Sequence, residues 1–194
     1  NGTSIQGGRW PLPSPNFMIA DPSNTLTTKS IVWFRKDLRL RDNPTLEFAL
    51  ANKREVIPVF IWNEEEGGRW RPGCASRWWL HQSLKSLADS IEKSGGRLLF
   101  EKGKPADILP LVAKENGANE VLYSRAYDPG GLATQEAVEE ALDRSGIETQ
   151  SFNSSLLNEP WDVKNSSGKP FQVFTPFWRN CRNGIYKQPA NYPI

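Results

Sequence analysis

Short apolar runs alternate along this chain with longer stretches of helical periodicity, and this alternation limits most strongly how the chain can fold. The run at residues 56–62 is continuously apolar, as expected of a strand that is covered on both faces of a sheet. Shorter strands are predicted at residues 31–34, 98–101, 120–123 and 148–152. The chain therefore carries five predicted strands.

Four helices are predicted between these strands. Asn43 suits a helix N-cap and Pro44 suits the first turn, so a helix should continue through residues 45–51. The others are predicted at about residues 75–94, from Pro105 onward, and after residues 129–131. Because crossovers between parallel strands are right-handed, the alternation predicts an α/β fold with a doubly wound, Rossmann-like sheet. We expect five parallel strands in the order 3-2-1-4-5, with helices on both faces.

The composition changes at both ends of the chain. Residues 1–30 are rich in Gly, Pro, Ser, Asn and Thr, which is typical of an extended or disordered lead-in, and they lack the layout of a secretory signal. We assign residues 31–153 to the α/β domain. After residue 153 the periodicity fades, so residues 154–194 are interpreted as the start of an interdomain linker in a fragment of a longer protein.

Charge and residue usage argue against several classes of protein. The formal net charge is only +2 and the charges are interspersed, so we expect this chain alone to bind DNA weakly. No apolar run approaches the ~20 residues that span a bilayer, so no membrane association is expected. The two cysteines form no CxxC pair and there is one histidine, which argues against a metal site. We expect a monomer in a reduced, intracellular setting: the cytoplasm, or the nucleus or an organelle in a eukaryote.

Charged residues follow the first strand at residues 35–42, and ligands of open parallel sheets bind at the carboxyl ends of strands. Neither GxGxxG nor GxxxxGK[ST] occurs, so a ligand crevice would be built from the loops at residues 35–42, 62–76 and 124–131. The alternative is a solvated loop whose charges pair among themselves.

Arg77 lies close to the apolar stripe of the long second helix, at the helix start nearest the strand ends. We therefore expect its guanidinium to point into the crevice, with Ser76 beside it as a second ligand contact. The alternative is an ion pair with Glu64, Glu65 or Asp37. Trp78 falls nearly opposite the stripe and should not lie in the core.

Successive motifs of this sequence resemble those of the DNA photolyase and cryptochrome family, in order and at similar spacing over roughly residues 31–180. They lie at residues 33–39, 42–44, 72–73, 76–80, 83–84, 127–129, 152–153, 156–161 and 174–178. The resemblance implies an N-terminal α/β domain that holds an antenna chromophore, methenyltetrahydrofolate or 8-hydroxy-5-deazaflavin. In that family a following helical domain binds FAD and the DNA lesion.

The parent protein implied by this resemblance is a deoxyribodipyrimidine photolyase, a carbon-carbon lyase that uses blue light and flavin to repair cyclobutane pyrimidine dimers. Damaged DNA and the helical flavin domain would be its partners, and this chain alone should be inactive. The alternative is the photolyase-like domain of a cryptochrome, a blue-light photoreceptor that acts in signalling.

The motif at residues 156–161 resembles plant-type cryptochromes and related photolyases more than the enterobacterial type. The enterobacterial type places an Asn-Glu pair for its folate where this chain has Gly130 and Gly131. The resemblance leaves a folate held by Glu159 or a deazaflavin contacted by Arg77, with a structural role of Glu159 in a turn as the alternative. The full predicted site is Arg35, Lys36, Asp37, Leu38, Trp62, Ser76, Arg77, Tyr127, Asp128 and Glu159.

Overall fold

Five parallel strands form a sheet in the order β3-β2-β1-β4-β5, which confirms the predicted fold. The computed structural model describes residues 28–52, 54–66 and 71–184, so most of the predicted lead-in lies outside the described residues. The strands are β1 (Lys29–Phe34), β2 (Glu55–Trp62), β3 (Leu99–Lys102), β4 (Glu120–Ser124) and β5 (Glu148–Phe152). The helices are α1 (Pro44–Ala51), α2 (Cys74–Lys93), α3 (Pro105–Asn116), α4 (Pro129–Asp143) and α5 (Phe174–Gly184).

The central strand β1 separates two cores, because successive side chains of a strand point to opposite faces. Ile31 and Trp33 pack with residues of α3 and α4 on one face. Val32 and Phe34 pack with residues of α1 and α2 on the other. Both cores consist of side chains that are almost fully buried, so the apolar runs of the sequence are explained by coverage of the sheet on both faces.

Helix α2 follows its predicted apolar stripe. Leu87 and Ile91 are buried, and Leu80 and Leu84 pack against the same core. Trp78 is 61% exposed, which confirms its predicted position outside the core. None of the helices that the structure describes is both long and apolar enough to cross a bilayer.

Helix α5 is the element that sequence analysis did not predict, since it lies within the segment interpreted as a linker. Pro176 is tolerated there because it falls in the first helical turn, where no backbone N–H is required. Phe174, Phe177, Trp178 and Cys181 recur at helical spacing, but Phe174 and Trp178 remain exposed, and only Cys181 of the four is buried. Smaller differences concern boundaries: β1 starts two residues before the predicted strand, and β3 is shifted by one.

Candidate ligand crevice at the carboxyl end of the sheet

Strands β1 and β4 are neighbours, but the chain leaves them in opposite directions, towards β2 and towards β5. Such a switch point opens a crevice at the carboxyl ends of the two strands. The structure has a cavity there of about 100 Å³, open to solvent, which we call the loop pocket. It is lined by Arg35, Lys36, Asp37, Arg39, Ser124, Arg125, Ala126, Ser154 and Ser155.

Asp37 ties the loop after β1 to the end of β4. Its buried carboxylate accepts hydrogen bonds from the Arg35 backbone N–H at 3.1 Å, from Asn43 Nδ2 at 3.4 Å and from the Ser124 hydroxyl. Asn43 also caps α1 by accepting from the Leu46 N–H at 3.2 Å, which confirms its predicted role. Asp37 is thus held by donors of the protein itself, and these bonds fix the floor of the loop pocket.

Arg35 lies between the two strands with its guanidinium 4.6 Å above the ring of Trp33. It donates to two carbonyl oxygens, that of Ser124 at 3.4 Å and that of Gly131 at 3.3 Å. Burial lowers the pKa of Arg35, and nearby carboxylates oppose this effect. Glu66, Asp128 and Asp37 thus offset part of the cost of burying the charge of Arg35.

Asp128 caps α4 by accepting from the Gly131 N–H at 2.9 Å, and it also accepts from Lys36 Nζ at 2.9 Å. The bond from Lys36 is the main reason why the pKa of Asp128 lies below its usual value. A Cβ atom at Gly131 would lie 2.8 Å from the Cβ of Ala126 and 3.0 Å from Asp128 Oδ1. Glycine is therefore required here, and a side chain of the enterobacterial type does not fit without a shift of the loop.

Arg39 connects the loop after β1 to the segment that follows β5. Its Nη2 donates to the carbonyl oxygen of Ser154 at 2.7 Å and, with Nε, to that of Asp42 at 2.8 and 3.0 Å. The hydroxyl of Ser154 is buried and has no hydrogen-bond partner among the described residues. Arg39 thus holds a polar group at the edge of the loop pocket that nothing satisfies.

A second group of residues, which we call the carboxylate cluster, consists of Arg125, Tyr127, Ser151, Glu159 and Trp161. Glu159 Oε1 accepts from Arg125 Nη1 at 2.5 Å, and Tyr127 donates to the same carboxylate at 2.9 Å. Arg125 also donates to the carbonyl and hydroxyl of Ser151 at 3.1 and 3.2 Å. Its guanidinium lies 5.3 Å from the ring of Trp161, which faces Tyr127 at 6.4 Å.

Burial, followed by the hydrogen bond to Glu159, raises the pKa of Tyr127 to about 12. The phenol is therefore neutral at physiological pH and acts as a donor. Glu159 Oε1 has two donors, whereas Oε2 accepts only from Tyr127 among the described residues. A carboxylate offers about four acceptor positions, so Oε2 retains capacity for a further donor.

The structure distributes the predicted site residues over four places. Arg35, Lys36, Asp37 and Asp128 come together around the loop pocket, and Tyr127 and Glu159 meet in the carboxylate cluster. Trp62 ends β2 and, like Leu38, packs against the core on the α1 and α2 face. Ser76 and Arg77 are exposed on the first turn of α2, where Arg77 Nη2 lies 3.7 Å from Cys74 Sγ.

Sequence analysis missed Arg125 and Ser154 as site residues. Arg125 lies in the loop at residues 124–131 that was assigned to the crevice, so its position was a usable signal. Ser154 carried no such signal, because it reaches the loop pocket only where the chain folds back after β5.

Comparisons with known proteins agree with this geometry. The family model described as DNA photolyase matches residues 30–193. The deoxyribodipyrimidine photo-lyase of Agrobacterium fabrum is 45% identical over 153 residues, which are 79% of this chain and 31% of that protein. Cryptochrome-2 of Arabidopsis thaliana is 44% identical over 155 residues, 79% of this chain and 25% of that protein. The chain thus spans a third or less of the length of these relatives.

Two solved structures are also similar. A bacterial class III photolyase from Agrobacterium tumefaciens has a TM-score of 0.73 at 43% identity and covers 84% of this chain and 33% of its own. An archaeal photolyase from Sulfolobus tokodaii, described with two FAD molecules and a novel light-harvesting cofactor, has a TM-score of 0.64 at 25% identity. It covers 78% of this chain and 34% of its own.

Proposed function

This chain belongs to the DNA photolyase family, and from that premise we propose that it is the antenna half of a deoxyribodipyrimidine photolyase. The parent protein would repair cyclobutane pyrimidine dimers with blue light and FAD. The observation that carries the proposal is the 45% identity to the Agrobacterium photolyase, which extends over 79% of this chain. The helical domain that binds FAD and the lesion would act in cis with this chain.

The second candidate is the photolyase-like domain of a cryptochrome photoreceptor, and the 44% identity to the Arabidopsis protein favours it to almost the same degree. Repair of a dimer-containing oligonucleotide under blue light separates the two. A full-length photolyase converts the dimer, whereas a cryptochrome leaves it intact. This chain alone is expected to give no repair in either case.

Proteins of this family bind a flavin and an antenna chromophore, and we propose methenyltetrahydrofolate or 8-hydroxy-5-deazaflavin as the antenna of this chain. The residues present fit such a group. Tyr127 and Trp161 offer flat aromatic surfaces, and Glu159 Oε2 has acceptor capacity for a ring N–H. A few polar groups on an apolar wall are typical of small-molecule sites. Such a chromophore absorbs light and passes its excitation to the flavin.

The chromophore assignment is tested by titration of the full-length protein with each chromophore, followed by fluorescence. Glu159→Gln should weaken folate binding about ten- to hundredfold, because it removes a charged acceptor. Arg77→Ala should weaken deazaflavin binding more than folate binding. Lys29→Gln serves as a control, because Lys29 lies at the opposite end of β1 from the crevice. Unchanged affinity of both variants for both chromophores would contradict the assignment.

We further propose that the chain is a monomer in an intracellular, cytoplasmic setting, or in the nucleus or an organelle of a eukaryote. Cys74 and Cys181 are unpaired thiols, which suits a reducing compartment. DNA would be bound through the full-length protein, since the net charge of +2 gives this chain little attraction for phosphate backbones.

A further inference from the structure

We infer that the loop pocket is a subsite for an oxyanion of a small molecule. The anion would be either the phosphate of a nucleotide-type ligand or the carboxylate tail of a folate. The source of the anion rests on the proposed chromophore function, whereas the subsite itself does not. Three observations carry the inference: the balance of charge in the lining, a buried hydroxyl without a partner, and the place of the pocket in the fold.

The lining of the loop pocket contains four cationic side chains and one carboxylate. The carboxylate of Asp37 is engaged by three donors of the protein. Lys36 and Arg125 have carboxylate partners just outside the lining, Asp128 and Glu159. The guanidinium groups of Arg35 and Arg39 are the two cations of the lining that have no such ion pair among the described residues.

Arg35 and Arg39 differ from the other two cations, because all their side-chain hydrogen bonds within the described residues go to carbonyl oxygens. Neither guanidinium lies within 4.0 Å of a carboxylate of the described ranges. A carbonyl group carries only a partial charge, so two full positive charges flank the loop pocket without a direct counter-ion. An anion in the pocket would supply it.

Ser154 adds a buried hydroxyl in the wall of this space, and rotation about its χ1 angle would turn that hydroxyl towards a ligand. Its residue is 8% exposed, it lines the loop pocket, and its Oγ has no hydrogen-bond partner among the described residues. Buried hydroxyls are normally paired, and an unpaired one destabilises the empty protein. A ligand oxygen in the pocket would accept this hydrogen bond and would lie between the hydroxyl and the guanidinium groups.

The position of the pocket favours a small molecule over a nucleic acid. The pocket lies at the switch point between β1 and β4, where doubly wound sheets bind their ligands, and its cavity of about 100 Å³ has room for a small anionic group only. The chain carries a net charge of only +2. A DNA backbone is normally bound by a broad basic surface rather than by a partly buried hydroxyl.

Pyrophosphate is the first probe, used on the 194-residue chain by calorimetric titration at matched ionic strength. We expect saturable binding that Ser154→Ala weakens about tenfold, because one hydrogen bond to a charged group is lost. Thr45→Val is the matched control. It also removes a buried hydroxyl without a partner, but one outside the lining of the loop pocket.

Ser154→Ala and Thr45→Val should each have an unfolding temperature equal to or above that of the wild type. Thr45→Val should bind pyrophosphate with the same affinity as the wild type. This combination distinguishes a ligand donor from a structural serine, whose removal would lower the unfolding temperature. Absence of saturable binding, or equal affinity of wild type and Ser154→Ala, would overturn the subsite. Tighter, Ser154-dependent binding of single-stranded DNA would overturn its assignment to a small molecule.

The source of the anion is tested with methenyltetrahydrofolate, with and without its glutamate tail. A carboxylate source predicts that removal of the tail weakens binding in the wild type and has little effect in Ser154→Ala. A phosphate source predicts the same affinity with and without the tail. If pyrophosphate binds in a Ser154-dependent manner and neither chromophore binds, the proposed antenna function fails and the subsite stands. If a chromophore binds and pyrophosphate does not, the proposed subsite fails and the proposed antenna function stands.

Discussion

The carboxylate cluster and the loop pocket meet at Arg125, yet they handle charge in opposite ways. In the cluster the side chain of Glu159 is only 12% exposed, and Arg125 and Tyr127 satisfy it directly. In the pocket, within the described ranges, the side chains of Arg35 and Arg39 donate only to carbonyl oxygens, and the Ser154 hydroxyl has no partner. The charges of the carboxylate cluster pair within the protein, and we call the Arg125–Glu159 ion pair the clamp. The guanidinium groups at the loop pocket have no such carboxylate partner among the described residues and could pair with a bound anion.

Both regions depend on the segment that follows β5, because residues of this segment contact the loops after β1 and β4. Ser154 reaches Arg39 on one side, and Glu159 reaches Arg125 on the other. The clamp therefore keeps the segment after β5 in place, and the loop pocket depends on that segment for part of its wall.

The largest effect should come from breaking the clamp. Arg125→Leu leaves the Glu159 carboxylate buried without its cation, and we expect a loss of about 3 kcal/mol in the free energy of unfolding. Urea unfolding measures this, and Arg125→Leu with Glu159→Gln should recover part of the loss. Lys36→Gln breaks an exposed ion pair and should cost less than about 1 kcal/mol. Similar costs for both single variants would remove the distinction between the clamp and the exposed pair.

A smaller effect is expected on the side of the loop pocket. Gly131→Ala forces a Cβ to within 2.8 Å of the Cβ of Ala126, and we expect a loss of about 2 kcal/mol from overpacking. The loop must shift, which moves the carbonyl that accepts from Arg35. Gly130→Ala is the control: its nearest contact is 3.7 Å away, so it should be neutral or stabilise by about 0.5 kcal/mol. A tolerated alanine at residue 131 would show that this loop adapts.

The smallest effect concerns Tyr127 and is confined to alkaline pH. Its pKa of about 12 in the folded state exceeds the ordinary value of 10.0, so its stabilising contribution is complete below pH 10.0. Between these two values the unfolded chain ionises first, so the free energy of unfolding falls as the pH rises. Tyr127→Phe should show a shallower decline over this range in urea unfolding. Identical slopes would show that burial and the hydrogen bond to Glu159 do not raise the pKa of the Tyr127 phenol. Tyr123 is present in both proteins, so its ionisation does not affect the comparison.

Much of the fold could be predicted because its signals are local. The strand runs, the Asn43 cap and the apolar stripe of α2 each depend on neighbours within one strand or a few helical turns. Right-handed crossovers then left few sheet orders to consider, and the predicted order is the observed one. Helix α5 escaped prediction although Phe174, Phe177, Trp178 and Cys181 recur at helical spacing, because the Pro-rich sequence around it was interpreted as a linker.

Two of the loops that line the loop pocket, at residues 35–42 and 124–131, could be assigned from sequence, because the carboxyl ends of parallel strands lie along one edge of a sheet. The third predicted loop, at residues 62–76, contributes no described residue to the lining, whereas residues 154 and 155 do. Only the tertiary structure decided which charges become partners. Glu159 lies 34 residues beyond Arg125, and Ser154 lies 115 residues beyond Arg39. Hydrogen bonds act over about 3 Å, so their partners depend on where the returning chain comes to lie. No local pattern of residues carries that information.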